Sequence, residues 1–401
     1  MRILFLTPYY PPEVGAPQTR ICELAVRLAR RGHQVQVLTA LPNYPSGSIP
    51  LEYRDRDASW EECEGVEVYR TWIYATPNRG FLRRVLNHFS FMLTALIAAP
   101  RMEPCDVVVA ESPPLFDGMA GWAIAHCRRA RFFFNVADLW PQSAVELGAI
   151  AKGSLPERIA AWIEHWCYQR ADRILAVTRG IESQLRTAGW AQAVYFPNGV
   201  EVSRFAGADG RSFRIAQGLT DGFLVLYAGT HGLSQALDTV LLAARNLATD
   251  PRIRFILVGD GAEKDRLVAM NVTNVRFLAS QPRERMPEIL AAADAILVPL
   301  RDLPLFHGAV PSKTYEALAA ARPVIMAVKG EAAALIRQAQ AGLVVPPEDP
   351  LALAGAIREL ASDPELCRRL GECGRRFVKE NFDRERLADR FEELLKASKI
   401  K

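Results

Sequence analysis

The stretch FLVLYAGTHGLSQALDTVLLAA (residues 223–244) joins three patterns that together predict a fold. A short apolar run comes first, the turn Gly229-Thr230-His231-Gly232 follows it, and an apolar helix-like segment ends the stretch. Short apolar runs without strict alternation are typical of parallel strands that are buried on both faces. Successive backbone N–H groups in such a turn form a small nest for a phosphate. The stretch therefore predicts one strand–helix unit with an anion-binding turn.

The same order of strand and helix recurs along the whole chain, and VGDGAEKDRL (258–267) repeats the glycine turn after the next strand. Strands that alternate with helices at this spacing indicate βαβ units and a parallel sheet. The predicted strands are 2–7, 34–39, 66–71, 106–111, 131–136, 173–178, 223–229, 254–260, 295–300, 323–328 and 342–347. We therefore predict the α/β class, with Rossmann-like domains.

The segment VYFPNGVEVSRF (194–205) marks the domain boundary, because Pro197, Asn198 and Gly199 punctuate the chain there. We predict a first domain of residues 1–197 and a second of residues 198–377. The charged amphipathic tail, 378–401, has no strand after it, so we expect one helix that packs back on the first domain. Ligands of open parallel sheets bind outside the carboxyl ends of the strands. We expect the two domains to face a central cleft that holds the ligand.

Composition excludes several classes of protein. The formal charge of +4 on 401 residues is too small for a nucleic-acid binder, which carries a dense basic stripe. The seven cysteines are dispersed and form no CxxC pair, which is typical of reduced thiols in the cytoplasm and not of a zinc site. No GxGxxG follows the first strand, which argues against a dehydrogenase.

The uncharged segment VLNHFSFMLTALIAAP (85–100) is too short for a membrane-spanning helix. Arg79, Arg83, Arg84 and Arg101 flank it. It is either a core helix or a helix in a membrane interface, with its arginines on anionic headgroups. In the second case residues 79–101 make a peripheral membrane contact.

Two loops of the first half carry candidate residues. In YYPPEVGAPQTRICELA (9–25), Gly15 lets the backbone approach a ligand where a helix begins, although a plain proline-rich loop explains it equally well. In NVADLWPQSAVELG (135–148), Asp138 follows a strand directly. It can take part in proton transfer or bind a sugar hydroxyl, or it is a helix N-cap. Glu111 also ends a strand and is a neighbouring candidate.

The segment GAVPSKTYEALAAARPVI (308–325) places Lys313 and Glu316 where a helix begins. Lys313 can neutralise a phosphate, and Glu316 can accept hydrogen bonds from a ribose diol, each worth about 1.5–3 kcal/mol. Alternatively Glu316 is a first-turn carboxylate that faces the helix dipole, worth about 0.3–1 kcal/mol. Taken alone, the segment favours this second explanation.

Taken together, these stretches resemble the retaining GT-B glycosyltransferases of family four. The likeness runs from LTPYYPPEVGAPQTRICELAVRLARRGHQVQVLTALPNYP through VADLWPQS, FPNGVEVSRF, YAGTHGLSQALDTVLLAA and ILVGDGAEKDRL to VPSKTYEALAAARPVI. It is nearest to transferases of bacterial O-antigens and capsules, the N-acetyl-L-fucosaminyl transferases among them. The resemblance implies a nucleotide-sugar donor in the second domain, an acceptor in the first, and no bound metal or other cofactor. It assigns Glu316 to the donor ribose and Gly15 to the donor phosphates.

The sequence departs from this family pattern at three places. Gly308 occupies the position of the first of two glutamates, Thr230 and Ser234-Gln235 replace the usual diphosphate cations, and Ala137 precedes Asp138 where a histidine is common. We therefore expect Lys313, with Arg301, to supply the positive charge. The expected catalytic residues are Asp138 and Lys313. The expected donor-binding residues are Gly15, Gly229, Thr230, Arg301, Gly308, Ala309, Val310, Lys313 and Glu316.

The resemblance implies transfer of a sugar, possibly N-acetyl-L-fucosamine, from a UDP-sugar to a lipid-linked or glycan acceptor in the synthesis of bacterial surface polysaccharide. This places the protein in the cytoplasm, on the inner face of the cell membrane. Two alternatives stay open. A nucleotide-sugar 2-epimerase shares the two-domain architecture, and a non-catalytic nucleotide-sugar-binding partner would explain the missing glutamate and cations.

Overall fold

The computed structural model describes residues 1–13, 15–44, 46–54, 58–76, 81–146, 148–219 and 221–397 of the chain. They form two compact units. Unit 1 comprises Met1–Asn198 together with Leu387–Lys401, and unit 2 comprises Gly199–Arg386. The chain thus passes from unit 1 to unit 2 within the Pro197-Asn198-Gly199 segment.

Unit 1 is built on a sheet whose strand order is β3-β4-β2-β1-β5-β6-β7-β8. Its strands are β1 (Arg2–Leu6), β2 (Gln34–Ala40), β3 (Ala58–Cys63), β4 (Val66–Thr71), β5 (Val107–Ser112), β6 (Arg131–Val136), β7 (Arg173–Ala176) and β8 (Ala193–Tyr195). Its helices are α1 (Ala16–Arg30), α2 (Phe81–Ala98), α3 (Leu115–Arg128), α4 (Gln142–Glu146), α5 (Leu155–Arg170) and α6 (Arg179–Thr187). Among the described strands, the pairing of β3 with β4 is antiparallel and the others are parallel.

The central strand β1 shows why the runs are apolar throughout. Ile3 and Phe5 belong to one buried cluster, and Leu4 and Leu6 belong to the cluster on the other face of the sheet. Successive side chains of a strand point to opposite faces, so a strand covered on both sides needs an apolar residue at every position. The absence of alternation in the sequence therefore reflects helices on both faces.

Unit 2 contains a parallel sheet of strand order β11-β10-β9-β12-β13-β14. Its strands are β9 (Phe223–Ala228), β10 (Ile253–Val258), β11 (Val275–Leu278), β12 (Ala295–Pro299), β13 (Val324–Ala327) and β14 (Gly342–Val344). Its helices are α7 (Arg211–Ala216), α8 (Leu237–Asn246), α9 (Lys264–Ala269), α10 (Met286–Ala292), α11 (Ser312–Ala319), α12 (Glu331–Ala339), α13 (Pro350–Ser362) and α14 (Pro364–Asn381). The order reverses between β9 and β12, which in such sheets is where a ligand binds.

Every strand predicted from the sequence is present, and three strands were not predicted. β3 and β11 lie at sheet edges, and β8 is only three residues long. The sequence of β3, ASWEEC, is polar because one of its faces is exposed. Edge strands bury less apolar surface, so their sequences lack the signal that identifies the central strands.

The prediction of a single helix over 378–401 is wrong. α14 runs to Asn381, and a separate helix, α15 (Arg384–Ala397), follows. The Asp383 carboxylate accepts a hydrogen bond from the Glu385 N–H at 2.9 Å, as a residue at a helix start does. Phe391 of α15 packs in unit 1 against Phe5 and Phe196, at ring-centroid distances of 6.2 and 5.6 Å.

Candidate functional site

The loops after β9 and β10 lie against each other at the carboxyl edge of the unit 2 sheet. The His231 N–H donates to the Asp260 carbonyl at 2.8 Å, and the Gly229 N–H donates to the Val258 carbonyl at 3.0 Å. Gly259 has φ of 145°, and a Cβ there would lie 1.9 Å from the Gly229 carbonyl oxygen. The two backbones therefore lie so close together that only glycine, which has no Cβ, fits at position 259.

Lys313 lies beside this pair of loops. Its ammonium donates to the Tyr227 hydroxyl at 2.8 Å and lies 4.0 Å from the centroid of the Tyr227 ring. The Tyr227 hydroxyl in turn donates to the Thr230 carbonyl at 2.6 Å. A Cβ on Gly229 would be 2.7 Å from the Lys313 ammonium. The structure thus brings Gly229, Thr230 and Lys313 together at the carboxyl edge of the sheet.

The surroundings of Lys313 disfavour its charged form. Burial lowers the pKa of Lys313 to about 7, and the nearby Glu316 carboxylate opposes that shift. At neutral pH the Lys313 amine is therefore only partly protonated. An anion that binds beside it favours the charged form and raises the pKa again.

The structure corrects one explanation of Glu316. α11 begins at Ser312, so Glu316 is its fifth residue, and its first turn holds no acidic side chain. The helix dipole acts on charges within the first turn only. A helix-start role is therefore wrong for Glu316, which lies half-buried one turn beyond Lys313.

Residues 308–310 lie between a 3-10 turn, Pro304–Gly308, and the start of α11. Gly308, Ala309 and Val310 are each half-buried. The Ala309 N–H donates to the Phe306 carbonyl at 3.2 Å. A Cβ on Gly308 would meet no atom within 4 Å, so the space beside this residue is open. Sterics therefore do not require a glycine at the position where the family pattern has a glutamate.

Arg301 follows β12 and ties three segments together. Its guanidinium contacts the carboxylates of Glu348 at 2.7 Å and Asp238 at 3.1 Å, and its Nε donates to the Leu233 carbonyl at 2.8 Å. All of its nitrogens thus have protein partners. The contacts fix the loop after β12 against the turn that precedes α8.

His231 is a residue that sequence reasoning missed. It is fully buried, packs edge-on against Phe277, and neither ring nitrogen has a well-formed hydrogen bond with any described residue. Burial and the charge of Lys264 lower its pKa, which favours the neutral ring. The signal available in the sequence is a histidine inside a glycine-bracketed turn after a strand.

Gly15 lies in unit 1 at the N-cap of α1, with extended backbone, φ 174°. The loop before it is held by Glu13, another residue that the sequence analysis did not select. The buried Glu13 carboxylate accepts hydrogen bonds from the backbone N–H groups of Asn43 and Tyr44, both at 2.7 Å. Glu13 thereby fixes the loop after β1 to the loop after β2. Burial raises its pKa, although these bonds oppose the shift.

Asp138 lies half-buried just after β6, four residues before α4 begins at Gln142. It therefore does not occupy the N-cap position, and that explanation is wrong. Burial raises its pKa against hydrogen bonds from Ser143 and Leu139.

A second carboxyl group lies close to Asp138. Burial raises the pKa of Glu164 to about 7, its carboxylate accepts a hydrogen bond from the Tyr168 hydroxyl at 2.7 Å, and the charge of Asp138 adds to the shift. Near neutral pH Glu164 can accept or give up a proton. Its position in the middle of α5 gave no signal in the sequence.

Glu111 is buried in the core of unit 1. It is 4% exposed, forms an ion pair with Arg20 of α1, and accepts a hydrogen bond from the Asn135 amide at 3.2 Å. Arg20 also donates to the Asn198 side chain at 2.8 Å. Glu111 therefore ties α1 to the end of β5.

Helix α2 has one buried and one exposed face. Phe91, Ala95 and Ala98 are buried in unit 1, which confirms a core helix for that face. The opposite face exposes an apolar stripe at helical spacing: Leu82, Leu86, Phe89, Leu93 and Ile97. Arg83, Arg84 and Arg101 are exposed, and Arg79 lies outside the described residues. No helix among the described residues is both long and apolar enough to span a bilayer.

A bound metal ion needs several ligating side chains close together. Within the described ranges, no group of three or more His, Cys, Asp or Glu side chains is placed to hold one. The described polar neighbours of Lys313 are the Tyr227 hydroxyl, the Thr230 carbonyl beyond it and the Glu316 carboxylate, so the Lys313 ammonium itself is the group that suits an anion.

Comparison with known proteins identifies the family. Residues 15–199 match the family model described as Glycosyl transferase 4-like domain, and residues 211–377 match that described as Glycosyl transferases group 1. WcaI of Escherichia coli (strain K12), by name a colanic acid biosynthesis glycosyl transferase, is 29% identical over 316 residues, which are 74% of this chain and 76% of WcaI.

Two solved structures share the fold over nearly the whole chain. Sucrose-phosphate synthase from Thermosynechococcus elongatus has a TM-score of 0.78 at 22% identity and covers 98% of both chains. Anabaena Alr3699/HepE in complex with UDP-glucose has a TM-score of 0.72 at 16% identity, over 99% of this chain and 100% of that chain. The two family matches and the two Rossmann-like units agree, and the chain belongs to the group 1 glycosyltransferases of GT-B fold.

Proposed function

We propose that this glycosyltransferase moves a sugar from a UDP-sugar to a lipid-linked or glycan acceptor in the synthesis of bacterial surface polysaccharide, with retention of the anomeric configuration. The observation that carries the proposal is the Lys313 ammonium beside the glycine loops after β9 and β10. The UDP-glucose complex of Alr3699/HepE and the name of WcaI support the choice of donor and pathway.

The diphosphate lies, in this proposal, between Lys313 and the backbone of Gly229 and Thr230. A side chain at residue 229 would fill the space beside the Lys313 ammonium. Because Gly229 has none, a phosphate can approach both the backbone and the charge. Preorganised donors that face developing negative charge are usually the largest catalytic contribution. The backbone of Gly308, Ala309 and Val310 completes this side of the site.

Glu316 binds the donor ribose. It stands on the same helix as Lys313, three residues further on, so one rigid element presents a cation and a carboxylate at a fixed separation. A nucleoside diphosphate carries a matching anion and diol. Arg301 acts as a positioning residue in this scheme, because its nitrogens already contact Glu348, Asp238 and Leu233.

Transfer occurs on the front face of the donor sugar. The bond from the anomeric carbon to the diphosphate oxygen breaks, the acceptor oxygen bonds to that carbon, and the acceptor proton passes to the leaving phosphate. Lys313 stabilises the charge that develops on the diphosphate, so the reaction needs no metal. Asp138, with Glu164 as its neighbour, orients the acceptor hydroxyl.

A lipid-linked acceptor requires access to a bilayer, and the exposed face of α2 fits that need. Its apolar stripe is flanked by exposed arginines, the combination that binds an anionic interface. We therefore place the protein on the cytoplasmic surface of the membrane, attached through the region 79–101.

The activity is tested with a panel of nucleotide sugars, UDP-N-acetylhexosamines among them, and a lipid-diphosphate sugar acceptor. We expect mass spectrometry to find one donor whose sugar is added to the acceptor, in the presence of a chelator, and NMR to show a retained anomeric configuration. Epimerised UDP-sugar formed without acceptor would instead establish the 2-epimerase. No turnover of any donor, with binding intact, would establish the non-catalytic partner.

Removal of the Lys313 charge should slow the chemistry. We expect Lys313→Ala to lower kcat by about 100-fold or more, because a preorganised cation is lost. Lys379→Ala, which changes an exposed lysine on α14, is the matched control and should retain activity. In the parent protein, pyrophosphate affinity should fall as pH rises through about 7, where Lys313 loses its proton. Turnover of Lys313→Ala near that of the parent would remove the residue from the mechanism.

Glu316→Gln should weaken the binding of UDP and leave the binding of pyrophosphate unchanged. Loss of one charged hydrogen-bond acceptor predicts about a 10-fold rise in the UDP dissociation constant, measured by calorimetry. The titrations are done at pH 6, where more of Lys313 is protonated than at pH 7. Equal loss of affinity for both ligands, or for neither, would contradict a ribose contact. Glu380→Gln on α14 is the control.

Membrane attachment is tested by co-sedimentation with anionic vesicles. We expect binding that weakens with salt and is lost in the double variant Leu82→Glu, Ile97→Glu, which charges the two most exposed positions of the α2 stripe, each 68% exposed. Leu351→Glu changes an equally exposed leucine of unit 2 and should still bind. If the parent protein stays in the supernatant, α2 has no interfacial role.

A further inference from the structure

Unit 2 contains a cavity of about 690 Å³ on the edge of its sheet opposite to Lys313. It lies where β9, β12 and β13 begin, beside Phe223, Asp294 and Pro323. In a parallel sheet the amino and carboxyl ends of the strands occupy opposite edges. The cavity is therefore separate from the proposed nucleotide site, and nothing in the proposed function uses it.

The charged residues that line the cavity are mostly basic. They are Arg252, Arg322, Arg368, Arg375, Asp294 and Glu372. The remaining wall includes the apolar side chains of Phe205, Phe223 and Leu360. The cavity thus combines an excess of positive charge with an apolar surface.

Several of these charges already have partners. Arg252 pairs with Asp250 at 2.7 Å, Arg368 pairs with Glu372 at 2.6 Å, and Asp294 pairs with Arg214. Glu372 is therefore paired with Arg368 and Asp294 with Arg214, and the Asp294 charge also favours the charged form of Arg322.

Arg322 and Arg375 remain. The Arg322 guanidinium donates through Nη2 to the Ala291 carbonyl, and its Nε is buried without a hydrogen-bond partner in the part of the chain that the structure describes. Arg375 is half-buried and forms no ion pair or hydrogen bond with a described residue. The buried Arg322 Nε is an unsatisfied charged donor, which is costly, and the half-buried Arg375 guanidinium has no protein partner among the described residues, so the positive charge of both groups favours an anion in the cavity.

The two elements that carry these arginines, α14 and the turn at Ala321–Arg322, pack against each other. A Cβ on Gly371 of α14 would lie 2.1 Å from the Ala321 carbonyl, so the helix touches the turn that carries Arg322. Arg375 stands one turn further along the same helix. The two arginines are thus carried by two elements whose backbones are in direct contact, which keeps both near the same cavity.

We propose that this cavity binds a small phosphate monoester, with its phosphate between Arg322 and Arg375 and its organic part against the apolar wall. Guanidinium groups form paired hydrogen bonds with phosphate oxygens, and two of them match a dianion. The cavity exceeds the volume of a phosphate ion alone, which is why an ester fills it better than inorganic phosphate. The site is a second ligand site on this enzyme, apart from the donor.

Calorimetry with glycerol 3-phosphate and with inorganic phosphate tests the proposal on the full-length protein. We expect the ester to bind more tightly than inorganic phosphate, and Arg375→Gln to raise its dissociation constant about 10-fold or more. Arg369→Gln, an exposed arginine on the same helix that does not line the cavity, should bind as the parent does. Lys313→Ala should also leave binding unchanged. Unchanged binding by Arg375→Gln, or loss of binding in Lys313→Ala, would overturn the assignment.

A local readout comes from the cysteines of α14. Cys367 lines the cavity and Cys373 does not, and both thiols are free and half-buried. Glycerol 3-phosphate should slow the alkylation of Cys367, followed by peptide mass spectrometry, and leave that of Cys373 unchanged. The protection should vanish in Arg375→Gln. Equal rates at Cys367 with and without the ester would refute binding in this cavity.

Discussion

The contact between the backbones of Gly229 and Gly259 is the constraint on which the unit 2 site depends. A Cβ at residue 259 would lie 1.9 Å from the Gly229 carbonyl, so the loops after β9 and β10 come together only with glycine at that position. Where the loops meet, the Thr230 carbonyl accepts a hydrogen bond from the Tyr227 hydroxyl, and that hydroxyl accepts one from the Lys313 ammonium. A steric requirement at one residue thus determines where a cation stands two elements away.

Charged side chains also hold loops together within each unit. Arg301 joins the loop after β12 to the turn before α8, and Glu13 joins two loops of unit 1 by accepting backbone hydrogen bonds. In both cases a buried or half-buried charge is satisfied by groups from different segments. Such charges restrain loops more strongly than apolar contacts do, because each has few acceptable partners.

Much of this organisation could be predicted from the sequence. Central strands such as β1 are buried on both faces and therefore carry continuous apolar runs, and glycine-bracketed turns follow β9 and β10 as expected. Edge strands such as β3 were missed because half of their residues face solvent. The break at Phe382–Asp383 was missed because the charged amphipathic pattern continues across it. His231 and Glu164 acquire their properties from burial by distant segments, which no local pattern records.

The half-buried position of Lys313 has a consequence for how ligands and protons are exchanged. A group whose pKa lies near 7 is about half protonated at neutral pH, and an anion beside it completes the protonation. Each anion bound would then draw up to about half a proton from the buffer at pH 7. By reciprocity, proton affinity and anion affinity rise together at this site. The heat of such binding would therefore contain the ionisation enthalpy of the buffer, and release of the anion would return the proton to solvent.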